Sequence, residues 1–161
     1  VWVGLVVWVW PLAGPTPPRP HWAQSGAPVH DERVLTALQA VASAQVVRIG
    51  ADTLEVLGSF ERAPGKHCRE VQELRQSAGA QTQTQTQTQT LAVLCQTPDS
   101  GWAVAFAASE TVPVGAFETA SGAQQAALQA FYEGLGTVQF LSADEENARL
   151  TAGWQGPAPR P

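Results

Sequence analysis

The chain has 161 residues, which leaves room for one domain with a modest core plus flanking segments. Hydrophobic residues make up an ordinary 44%, only 14% are charged, and the net charge is −5. This acidic balance, with no run of Lys or Arg, argues against nucleic acid as a partner, since phosphate binding needs a basic face.

Met is absent and the chain opens on Val, so it reads as the downstream part of a longer protein. Residues 1–13, VWVGLVVWVWPLA, form an uncharged apolar run, short of the roughly 20 residues a spanning helix needs. A truncated transmembrane helix fits best, with Trp8 and Trp10 near its end, where interfacial Trp belongs. A signal-peptide core and a buried strand are the alternatives; the run lacks a basic start and a small-x-small cleavage site. Residues 14–29 are Pro-rich and read as a stiff, extended linker.

From His30 to Gln45, Val34, Leu35, Leu38, Val41 and Ala42 recur at helical spacing, with Asp31 as N-cap and Glu32 in the first turn. Four strands are expected next, over residues 54–108. They are ADTLEVLGSFERA, KHCREVQEL, LAVLCQ and WAVAFAAS, with turns at Pro64-Gly65 and at Thr97 to Gly101. In the second turn Pro98 fixes φ and Gly101 is expected to supply a positive φ. Ser121 with Gln124, and Ser142 with Glu145, have capping-box spacing and predict two further helices. The first carries Ala127, Leu128, Phe131 and Leu135 on one face and stops at Gly134 and Gly136. The second carries Ala148 and Leu150 and ends near Gly153. Residues 155–161 read as a disordered tail. The fold class is therefore α+β: a small antiparallel meander of about four strands flanked by helices, preceded by a partial membrane helix.

The Gln-Thr run at 81–90 falls between the second and third strands. Strict polar alternation offers no apolar face. The run reads as an insertion in a hairpin tip, extending the two strands as a solvated ribbon.

Three blocks stand out in order. The first is SFERAPGKHCREVQEL, with Cys68-Arg69-Glu70. The second is LAVLCQTPDSGWAVAFA, with Cys95 and Trp102. The third is SADEENARLTAGW, ending on Trp154. Together, behind a membrane segment and a linker, they resemble the extracytoplasmic C-terminal domain of proteobacterial transmembrane anti-sigma factors. A related Cys-Arg-Glu hairpin occurs in surface-antigen-like envelope lipoproteins, but no Cys precedes Cys68 here to carry a lipid. The resemblance runs from Leu35 to Trp154, and Val71 and Gln96 depart from its pattern.

The resemblance implies a non-catalytic, single-pass protein of the bacterial inner membrane. Its main domain, residues 30–154, would be periplasmic, and a cytosolic part preceding Val1 would hold an alternative sigma factor. Residues 1–13 would sit in the membrane, and a periplasmic protein or protease would be the external partner. The alternative is an exported structural or binding protein of the cell envelope.

The motif residues are Cys68, Arg69, Glu70, Trp102 and Trp154. In an extracytoplasmic compartment Cys68 and Cys95 are candidates for a disulfide, the alternative being two buried thiols. If they face each other, part of the Gln-Thr run continues the strand. Arg69 and Glu70 are either a recognition edge or ordinary charges on opposite faces, each solvated or paired locally; the second is preferred. Trp102 and Trp154 are expected to fill the core with the indole N–H satisfied, rather than to anchor a partner. His67 diverges from Cys68 along a strand and cannot readily activate it. Asp144, Glu145 and Glu146 are accounted for by the helix dipole. Two Cys and three scattered His have no metal-ligand spacing, and neither a phosphate loop nor a nucleophile elbow occurs, so no enzyme and no cofactor is expected.

Overall fold

The structure, a computed structural model, describes residues 22–76, 86–114 and 122–155. The run 1–13, the first part of the Pro-rich stretch, the Gln-Thr residues 81–85, Ser121 and the tail from 156 lie outside them. Among the described residues no helix is long and apolar enough to cross a membrane.

Among the described residues three helices, α1 (Glu32–Ala40), α2 (Gly122–Leu135) and α3 (Ala143–Thr151), accompany six strands. The strands are β1 (Gln45–Ile49), β2 (Asp52–Ala63), β3 (Lys66–Gln76), β4 (Thr86–Gln96), β5 (Trp102–Pro113) and β6 (Gln139–Phe140). The sheet is an antiparallel meander in the order β1-β2-β3-β4-β5. β6 pairs with β2 at Phe60 and Glu61, beyond the stretch of β2 that β1 covers. The α+β class and the four expected strands are therefore present, with β1 and β6 added.

The helix expected to reach Gln45 stops at Ala40, with Val41 extended at the C-cap. The physical reason is the β-branched run Val46-Val47 with Ile49, closed by the two-residue turn Gly50-Ala51 in which Gly50 takes φ 64°. Pro64-Gly65 forms the β2–β3 turn as expected, Gly65 supplying φ 75°. In the β4–β5 connection the positive φ belongs to Ser100 (67°), not to Gly101. That turn is held by the Thr97 N–H bonded to the Gly101 carbonyl (2.9 Å) and by Thr97 with Asp99. α2 runs through Gly134 and ends at Gly136 (φ 79°). Its inner face is Gln124, Leu128, Phe131, Tyr132 and Leu135, while Ala127 is exposed. The Ser142–Glu145 capping box of α3 is complete.

The sheet is covered on both faces. One side packs Val34, Ala37 and Leu38 of α1 against Leu54, Val56, Val71, Leu94, Trp102 and Val104, with Trp154 at the end of α3. The other side packs Leu128 and its neighbours on α2 against Phe60, Cys68, Leu91 and Val93. Strand alternation explains the division, and a β-bulge shifts it once. The β2–β3 register slips between Val56 and Gly58, which leaves Leu57 as the extra residue. Val56 and Ser59 thus share the α1 face although they lie an odd number of residues apart.

Two expectations change here. Residues 22–29, taken as the end of an extended linker, belong to the domain. Trp22 and Ala23 are buried, and the Val29 N–H bonds the Trp102 carbonyl (2.8 Å), so this segment lines the edge of β5. The other change concerns the repeat. Thr86 to Thr90 do continue β4, with Gln87 to Thr90 opposite Gln76 to Glu73 of β3 and Thr86 to Thr90 opposite Pro113 to Ser109 of β5. They are not a solvated ribbon: Thr88, Gln89 and Thr90 are buried. A central strand needs no apolar face of its own when both neighbours and both layers cover it. Thr90 bonds Ser109 across the pair (2.9 Å), and Gln124 of α2 donates to the Gln89 and Ala108 carbonyls (3.1 and 3.0 Å).

Excising two Gln-Thr pairs should leave the urea unfolding midpoint unchanged, because the remaining pairs refill positions 86–90 in the same order and the loop entropy changes little. Excising all five pairs draws Gly79 and Ala80 into the strand and should destabilise the domain by about 2 kcal/mol or more in the same measurement.

Candidate functional site

Arg69 projects from β3 onto the α1 face and is fully buried. A guanidinium has five N–H donors and no acceptor, so burying it requires a complete set of acceptors around it. Its Nε donates to Ser59 Oγ (2.9 Å), and Nη1 to the Leu38 carbonyl (2.7 Å). Nη2 donates to the Val41 carbonyl (2.6 Å) and to Glu146 Oε1 (3.1 Å). The guanidinium carbon lies 4.8 Å from the centre of the Trp154 ring, a cation–π contact. α1 has no basic residue in its last turn. Arg69 supplies that charge from the sheet and satisfies carbonyls the helix end leaves open.

Glu146 completes the cluster from α3. Its carboxylate accepts from the Ser43 N–H (2.9 Å), Ser43 Oγ (2.5 Å) and Ser59 Oγ (2.6 Å) as well as from Arg69. Burial pushes the Glu146 carboxyl up, but the Ser43 and Ser59 bonds and the Arg69 charge outweigh burial, and the net direction is down. Burial lowers Arg69 and Glu146 opposes that shift, the net direction being down. These findings correct two expectations. Arg69 is not a solvated surface charge, and Glu146 is not explained by the helix dipole alone; it is 5% exposed and paired.

Glu70 points to the opposite face, as strand alternation requires. It accepts from Tyr132 Oη (2.5 Å), an interaction that ties α2 to β3. Burial first, and the Glu70 carboxylate second, push the Tyr132 phenol well above its usual range. Cys68 and Cys95 are paired residues of β3 and β4 and form a disulfide, on the α2 face beneath Phe60. Trp102 and Trp154 fill the core, edge to face at 5.9 Å. The indole N–H of Trp154 is nevertheless buried without a hydrogen-bond partner, contrary to expectation. Gln96 donates to the Trp154 carbonyl (2.9 Å) and contacts His67 Nδ1 (3.3 Å).

The structure thus brings Arg69, Trp102 and Trp154 together, and separates them from Cys68, Glu70 and Cys95 by the thickness of the sheet. The roles of Ser59 and Ser43 escaped the sequence reading, and Glu146 was assigned to the helix dipole alone. A Glu facing the core side of a short helix, four residues before Leu150, was the available signal for Glu146. A cleft of about 310 Å³ opens beside this cluster, between Ser43, Leu57, Gly58, Phe140 and Asn147. Phe140, 52% exposed, forms its apolar rim with Leu57. Among the described residues no group of three His, Cys, Asp or Glu is placed to hold a metal ion.

No protein-family model, curated protein or solved structure matches the chain.

Arg69→Met leaves Glu146 buried without its countercharge and should lower unfolding free energy by about 3–5 kcal/mol in denaturant titration. Arg69→Lys should recover only part of this, since an ammonium cannot reach Ser59, two carbonyls and a carboxylate at once. Because the folded Glu146 carboxyl lies below its ordinary 4.5, its contribution to stability is fully present above that pH and lost as pH falls through the folded value. In Glu146→Gln that component of the acid unfolding profile should disappear.

Proposed function

We propose that this chain is a non-catalytic regulatory module of the bacterial envelope. In this reading it is the periplasmic part of a single-pass inner-membrane protein of the anti-sigma type, anchored through residues 1–13. The observation that carries the reading is convergence. The three blocks that resemble such domains are far apart in the chain, yet their distinctive residues meet at one point. Arg69 and Ser59 come from the first block, Gln96 and Trp102 from the second, and Glu146 and Trp154 from the third. A motif conveyed by such residues describes a folding framework rather than a reaction centre. The Cys68–Cys95 disulfide suits an oxidising compartment. The cleft rimmed by Leu57 and Phe140 is where a periplasmic protein or protease would be received. The alternative, an exported structural or binding protein of the envelope, shares this compartment but has no cytosolic output.

The test is domain replacement in the full-length membrane protein. Exchanging residues 22–154 for an unrelated folded domain should alter transcription from the promoters of an alternative sigma factor when the envelope is stressed. Unaltered transcription would count against the regulatory reading and favour the alternative.

A further inference from the structure

His67 is fully buried on β3 and faces the same side as Arg69. Its Nδ1 lies 3.3 Å from Oε1 of Gln96, an acceptor, because the Gln96 amide nitrogen is committed to the Trp154 carbonyl. Nδ1 therefore carries the proton, and Nε2 presents a lone pair. That lone pair is buried without a hydrogen-bond partner. The carboxylate of its cross-strand partner is an acceptor as well: Glu61 Oε2, at 3.9 Å. At that separation the two acceptors share no hydrogen bond, but a protonated Nε2 would stand within ion-pair reach of the carboxylate.

The surroundings decide what that proton does. Glu61 on β2 favours the imidazolium, and Arg149 on α3 opposes it. Arg69, on the same strand, already stands over the Trp154 ring, which also contacts the His67 ring at 5.7 Å and the Trp102 ring at 5.9 Å. Burial is the dominant influence and holds the imidazole below its ordinary range, so the neutral form prevails at neutral pH.

Trp154 covers this site, and its own seat is strained. It adopts φ 61°, a left-handed conformation unfavourable for a bulky side chain, and its indole N–H is buried unpaired. Its carbonyl is held by the same Gln96 that holds His67. Hydrating a charged His67 thus requires displacement of the group least favourably seated around it.

We infer that His67 and Trp154 form an acid-sensitive latch, in which proton uptake at His67 Nε2 unseats Trp154 and slackens the hold of the α3 end on Arg69. The proton comes from solvent, and Glu61 pairs with it as the cavity opens. This inference is independent of the regulatory reading above and holds for the chain in any compartment that acidifies.

The experiment is ¹⁹F NMR of the full chain labelled with 5-fluorotryptophan, with Trp154 and Trp22 assigned through W154F and W22F. Between about pH 7.5 and 5 the Trp154 resonance should shift, with a midpoint below the ordinary histidine value, while Trp22 stays in place. Glu61→Gln should move the midpoint to lower pH, and Arg149→Gln should move it to higher pH. His67→Gln should abolish the shift. A Trp154 resonance that does not move, or one that moves equally in His67→Gln, overturns the latch. So does a single transition in which Trp22 and Trp154 move together. If His67→Gln does not fold, the opposite displacements in the Glu61 and Arg149 variants still decide, since unchanged midpoints in both overturn it.

Discussion

Burying a guanidinium commits the surrounding chain to a particular arrangement of acceptors, and in this domain that group is Arg69. Its donors are met by a serine on β2, the carbonyls of Leu38 and Val41 at the end of α1 and a carboxylate on α3. Each of those partners is placed there by a separate irregularity. α1 stops at Ala40, which frees its carbonyls. The bulge at Leu57 brings Ser59 onto the α1 face. α3 turns Glu146 inward and delivers Trp154 above the cation. An ion pair of this kind adds little net stability relative to an apolar core, because desolvation offsets most of the attraction. What it supplies is discrimination, since an arrangement that misses one acceptor leaves a buried charge exposed to its full penalty.

The Cys-Arg-Glu triplet gains its meaning from strand geometry. Alternate residues of β3 face opposite sides, so the middle residue organises α1 and α3 while its neighbours organise α2. Cys68 joins β3 to β4 beneath Phe60, and Glu70 receives the hydroxyl of Tyr132. Around them Phe60, Tyr132, Phe131 and Phe140 make a chain of edge-to-face and tilted ring contacts with centroids 5.5–5.8 Å apart. One tripeptide thereby couples a polar layer on one side of the sheet to an aromatic layer on the other.

The strands with apolar alternation and the capped helix α3 were legible in the sequence, because their local chemistry agrees with their final environment. The disulfide of Cys68 with Cys95 was a candidate on compartment grounds, with two buried thiols as the alternative, and reading β3 and β4 as neighbours made it geometrically possible. β1 was missed because Val41 and Ala42 extend the helical spacing of α1 past its true end, and only the carbonyl-hungry Arg69 marks where it stops. The fates of Arg69 and Glu146 were illegible for a related reason. A charged residue on a short amphipathic element has the same local pattern whether it meets water or a buried partner 77 positions away. Trp22 to Val29 were hidden by Gly26, Pro28 and the prolines that precede them, which suggest a tether although the segment bonds the edge of β5. The buried Thr88, Gln89 and Thr90 were misjudged because a polar run was weighed alone rather than as the middle strand of three.

That middle strand has an implication for inheritance. Dipeptide repeats gain and lose units through slippage of the copying machinery, six nucleotides at a time. A strand also repeats every two residues, so each gained or lost unit preserves both the reading frame and the side of the sheet to which every later residue points. Leu91 to Gln96 remain correctly oriented whatever the copy number, provided enough pairs remain to fill Thr86 to Thr90. A tract of odd period would reverse the strand at each event. The domain can therefore host a genetically unstable sequence within its sheet, with the variation directed into the connection between β3 and β4.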